Sequence, residues 1–120
     1  MRRTTLFAAA LLFVGLAATA WAHPPDSIAI SIDSTHLLTV DVHHPVKQLG
    51  TPHFLARITV ELNGQTVITQ DFKSQSSLDW QEAYYQLIDA KEGDKITVTA
   101  TCSVFGKLST SLVVPALSGG

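Results

Sequence analysis

The chain is short of the side chains that carry most soft-metal and redox chemistry. It has one cysteine, Cys102, and one methionine, Met1, in 120 residues. A lone cysteine excludes an internal disulfide, so a fold must rest on its apolar core. Basic residues are few as well, eight Lys and Arg against ten Asp and Glu. No basic patch forms, which excludes nucleic acid as a partner. There is no phosphate loop, no Ser-His-Asp order and no pair of carboxylates placed for hydrolysis.

One apolar run stands out, at the start. Arg2 and Arg3 precede an uncharged stretch from Leu6 to Ala20, and Ala20-Trp21-Ala22 is a small-x-small box. These are the three parts of a secretory signal. A spanning helix needs about 20 apolar residues, and this run is shorter. The residues flanking the arginine pair do not match a twin-arginine signal. Residues 1–22 are therefore expected to be removed, placing the mature chain in the periplasm or outside the cell, with no membrane segment left. Cleavage after Ala22 leaves His23 as the first residue. The basic count then falls to six against ten acidic residues, a formal charge of −4.

Residues 23–120 suffice for one domain. Their pattern is period two nearly throughout, the signature of half-buried strands. Ser27–Asp33 alternates, with Ile28, Ile30 and Ile32 on one face. His36–His44 puts Leu38, Val40, Val42 and His44 on one face, with His43 opposite. After a loop from Pro45 to Pro52, strict alternation over Phe54–Leu62 groups Phe54, Ala56, Ile58, Val60 and Leu62. Asn63-Gly64 is a hairpin signal, since both residues tolerate positive φ. Gln65–Phe72 returns, and Lys73–Asp79 reads as a polar loop. Glu82–Ile88, Lys95–Val104 and Lys107–Val114 complete about seven antiparallel strands, with a turn over Ala90–Asp94. Short strands at this spacing predict an all-β, immunoglobulin-like β-sandwich. Its expected span is 23–114, with 115–120 as a disordered tail.

Imidazole and thiolate are the donors that suit iron, copper and zinc. His44 is the most telling candidate. It extends an apolar face at a strand end, where an unsatisfied polar ring is costly. His53 closes the loop that His44-Pro45 opens, so both rings can meet at one end of the sandwich. Cys102 shares a face with Ile96, Val98 and Ala100. That position suits a small buried hydrophobe as well as a thiolate ligand. His43 and His36 fall where solvent is expected. His23, once terminal, would offer both its amine and its ring to one ion, or would remain a solvated end.

Three stretches together resemble the iron-binding domain of the superoxide reductases, the desulfoferrodoxin and neelaredoxin groups. They are His44-Pro45, then His53-Phe54-Leu55-Ala56-Arg57-Ile58, then Ala100-Thr101-Cys102-Ser103-Val104-Phe105-Gly106. The resemblance covers about residues 26–114. It implies mononuclear iron held by histidines in a plane and by an axial cysteine, with a sixth position open to superoxide, which is reduced to peroxide. On that basis His44 and His53 match two equatorial ligands and Cys102 the axial thiolate. His23 is the nearest residue to a further histidine of the family. The sequence departs from the family at Phe105, where the family has another histidine, and in a longer loop from His44 to His53.

Three functions follow as expectations. One is an exported iron-binding domain, similar to superoxide reductase and with altered or lost reductase activity. Another is a periplasmic copper-binding module that uses His23. The third is a non-catalytic accessory or interaction domain. Nothing in the pattern designates an electron donor or a second subunit.

Overall fold

The computed structural model describes residues 23–117. The expected signal peptide, residues 1–22, and the tail residues 118–120 lie outside them. Among the described residues seven strands form: β1 (Ser27–Ile32), β2 (Leu37–His43), β3 (Leu55–Leu62), β4 (Gln65–Asp71), β5 (Trp80–Gln86), β6 (Lys95–Cys102) and β7 (Lys107–Val113). All pairings are antiparallel. They build a three-stranded sheet in the order β1-β2-β5 and a four-stranded sheet in the order β4-β3-β6-β7. No helix occurs among the described residues, so none is available there to cross a membrane.

Alternation decides which faces meet. Leu38, Val40 and Val42 of β2 point into the core, with Ala83 and Tyr85 beside them on β5. From the other sheet come Ile58 and Val60 of β3 and Ile96, Val98 and Ala100 of β6. Each fully buried Val, Leu or Ile contributes about 1.5–3 kcal/mol over an exposed one. A core of this kind holds the two layers together with Cys102 as a free thiol. Asn63 (φ 51) and Gly64 (φ 86) make the β3–β4 turn in the left-handed region, as their pairing predicts.

The structure corrects strict alternation in β3. The pairing of β3 with β6 slips between Leu55 and Arg57, so that Leu55 faces Cys102 and Arg57 faces Thr101. One extra residue in a strand bends it and reverses the facing of what precedes. Leu55 is therefore fully buried, and Phe54 and Ala56 are only half-buried. β5 also begins earlier than the sequence pattern suggests, at Trp80, with Gln81 turned inward and Ile88 exposed past its end.

Antiparallel register gathers one end of the molecule. The start of β1 lies beside the end of β2 (Ser27 with His43), and the end of β2 beside the start of β5 (His43 with Trp80). The start of β3 lies beside the end of β6. The segments leading into β1 and β3 and out of β2 thus share this end.

A candidate metal centre of three histidines

Each of those three segments carries one histidine. His23 lies four residues before β1, His44 directly follows β2, and His53 lies two residues before β3. One ligand atom from each falls within 4.8 Å of the other two. Their ring centroids form a nearly even triangle, 5.0 Å from His23 to His44, 5.2 Å from His23 to His53 and 4.9 Å from His44 to His53. Three imidazoles at this spacing could hold one metal ion.

Local contacts hold each histidine in place. His44 is fully buried. Its backbone continues the pairing beyond β2, with the His44 N–H donating to Asp79 O at 2.8 Å and the Val46 N–H to Leu78 O at 2.8 Å. Its Nδ1 lies 2.7 Å from Oε1 of the buried Gln75, and its Nε2 lies 3.3 Å from the His23 carbonyl oxygen. His53 is held on both flanks by Ser103. That hydroxyl donates to Pro52 O at 2.5 Å and accepts from the Phe54 N–H at 3.0 Å, and the Ser103 N–H donates to Phe54 O at 2.9 Å. Against the His23 ring stand two carbonyls, Pro24 O 2.9 Å from Nδ1 and Pro45 O 3.1 Å from Nε2. A neutral ring donates to only one of them, so the other nitrogen carries a lone pair.

His53 gives the most direct sign of a ligand. Its Nε2 is buried and lacks any hydrogen-bond partner. A buried polar atom left unpaired costs about 1–3 kcal/mol, and a metal ion is one partner that removes the cost. Burial, followed by the neighbouring His44 and His23, pulls the His53 pKa below its ordinary 6.5. The shift favours the neutral ring, the form that binds metal. The donor set fits a first-row transition ion.

The site opens on a cleft of about 740 Å³ lined by His23, His53, Pro45, Val46, Lys47, Gln48 and Thr51. Three protein ligands leave coordination positions free, and the cleft gives a small molecule access to them.

Cys102 does not join the group of atoms that lie within 4.8 Å of one another. It is 5% exposed, its register partner is Leu55, and its Sγ accepts from the Val104 N–H at 3.5 Å. Phe105 is exposed on the β6–β7 turn. His43 faces away from the cluster, its ring tilted against Trp80 at 4.8 Å between centroids and paired with Asp26 at 3.3 Å. His36 sits in the β1–β2 turn at φ 64, its carbonyl accepting from Leu87.

Sequence reasoning missed Gln75 and the supporting role of Ser103. Gln75 lies in a polar stretch that reads as a solvent loop, and its burial arises only from tertiary packing. Ser103 was visible only as the residue after Cys102. Comparison with known family models, curated proteins and solved structures returned no match.

Proposed function

We propose that the chain is an exported metal-binding domain whose single ion, iron, sits on the imidazoles of His23, His44 and His53. The unpaired, buried Nε2 of His53, on one ring of a close cluster of three imidazoles, carries this reading. The sheet order β1-β2-β5 and β4-β3-β6-β7 supports an immunoglobulin-like sandwich as its scaffold. Iron is favoured because two of the stretches that resemble superoxide reductases, His44-Pro45 and His53-Phe54, each deliver a ligand to the cluster. Superoxide is the small oxidant that this resemblance brings to the cleft. Phe105 has no donor atom, and the cluster consists of nitrogen donors alone. The redox chemistry therefore differs from that of a four-histidine, one-thiolate centre, because ligand count and thiolate donation set the potential.

Anaerobic reconstitution with ferrous iron tests it. One iron per chain is expected, lost in His44→Ala and His53→Ala and kept in His43→Ala. A wild-type chain that takes up no metal ends the proposal.

A copper reading is favoured by one contact, the His23 carbonyl 3.3 Å from His44 Nε2. It brings the main chain of the expected mature terminus against a ligand ring. On this reading the free amine of His23 joins the imidazoles. Extending the mature terminus by one residue then weakens copper binding at least tenfold, and unchanged affinity rules it out.

A further inference from the structure

Gln75 has four polar contacts, and together they leave its amide one orientation. Its Oε1 lies 2.9 Å from the Leu55 N–H, which can only donate. Its Nε2 lies 2.7 Å from the His44 carbonyl and 3.0 Å from the Ser77 carbonyl, which can only accept. Turning the amide over would set donor against donor and oxygen against two oxygens. The Oε1 is therefore an acceptor, and so His44 Nδ1, 2.7 Å away, must be the nitrogen that carries hydrogen. In the neutral ring Nε2 is then bare. Its polar neighbour, the His23 carbonyl at 3.3 Å, has no hydrogen to offer.

We propose that Gln75 is the positioning residue of the metal site, holding His44 in the Nδ1–H tautomer so that Nε2 is presented as the donor. This rests on the three-imidazole reading above. A ligating histidine is oriented through its second ring nitrogen, and losing that partner typically lowers metal affinity about 10–100-fold. Gln75 does more than fix a tautomer. Through one side chain it ties the backbone of His44 to the first residue of β3, two positions after His53. It sets the spacing of two ligands at once.

Long-range proton–nitrogen NMR of the metal-free wild type reads the tautomer of His44 directly, and zinc titration followed by competition with a chelator reads affinity. The expected result is Nδ1–H in the wild type, both without metal and with zinc. In Gln75→Leu a mixture of tautomers and a 10–100-fold weaker zinc affinity are expected. Gln75→Glu keeps both acceptor bonds at Oε1 and, with its carboxyl protonated, one of the two donor bonds to the His44 and Ser77 carbonyls, so it should retain the Nδ1–H form and keeps the test open if Gln75→Leu does not fold. A purely structural Gln75 would lower the melting temperature in both variants and leave the tautomer and the affinity alone. That result, or Nε2–H in the wild type, overturns the role of Gln75 while the metal site stands. A wild type with the expected tautomer that binds no zinc and no iron overturns the site itself, and Gln75's role with it.

Discussion

Pro24 lies across Gly106 so closely that a Cβ on the glycine would stand 2.8 Å from the proline's Cβ and 3.3 Å from its Cα. The segment that carries His23 is therefore seated on the β6–β7 turn. Gly106 is needed there twice, for its φ of +83 and for the space. Gly93 has a similar φ of +89 with nothing within 4 Å. Alanine at either position carries backbone strain of about 1–2 kcal/mol. Both variants should melt lower. Gly106→Ala should also displace Pro24 and with it His23, weakening metal binding on the order of tenfold, while Gly93→Ala leaves it unchanged. Parallel melting curves and zinc titrations decide this, and equal affinities in the two variants would detach the Pro24 contact from the site.

Acid should act on the metal-free protein through His53. Its folded pKa lies below 6.5 because burial and the two neighbouring imidazoles disfavour the charged ring. Below 6.5 the unfolded chain takes up the proton first, so stability falls as pH falls. Stability from this group is complete above 6.5 and is lost as the pH descends through the folded pKa. Melting temperature measured downward from pH 7 should drop, and more steeply in the wild type than in His53→Gln. Parallel curves would mean that the ring is not held neutral by the fold.

Tyr85 predicts a loss at the opposite extreme. Its hydroxyl donates to Gln70 Oε1 at 2.6 Å, bridging the two sheets, and burial pushes its pKa up to about 12. The unfolded tyrosine ionises near 10, so the unfolded chain releases its proton first and stability declines as pH rises from there. The contribution is full below 10 and is gone once pH passes about 12. Tyr85→Phe should melt lower near neutrality, having lost a hydrogen bond worth about 0.5–1.5 kcal/mol. The gap to the wild type should then close between pH 10 and 12.

How much of this was legible in the sequence depends on the range of the interaction. Period-two patterning placed Leu38, Val40, Val42 and His44 on one inward face, because side-chain alternation is a property of the backbone itself. Asn63-Gly64 announced its turn for the same local reason. The bulge at Leu55–Arg57 has no such marker. Phe54, Ala56 and Ile58 alternate correctly on paper, and only pairing with β6 shows that Leu55 takes the buried place. At the site, His44 and His53 were readable as the two ends of one loop. His23 was a candidate through expected cleavage, but its approach to the others depends on Pro24 meeting Gly106 from 82 residues away in sequence. Gln75 was hidden entirely, since no local pattern separates a buried glutamine from a solvated one.

Phe105 offers the sharpest test of the resemblance that guided the choice of iron. On that resemblance it stands where the family has a histidine, in the stretch Ala100–Gly106, and the residue is 57% exposed on the turn after Cys102. Replacing an exposed phenylalanine with histidine changes stability little, within about 0.5 kcal/mol. If the stretch is equivalent to the family's, Phe105→His adds a fourth imidazole. Ferrous iron should then bind more tightly, and its absorption spectrum should shift as the coordination number rises. If the likeness of this stretch is a coincidence of strand and turn composition, the new ring stays in solvent, and affinity and spectrum match the wild type. Adding Cys102→Ala to Phe105→His separates the sulfur's part. A sulfur-to-iron absorption band that disappears with the thiol would draw Cys102 into the centre on metal loading, whereas identical spectra would leave the site an all-nitrogen one.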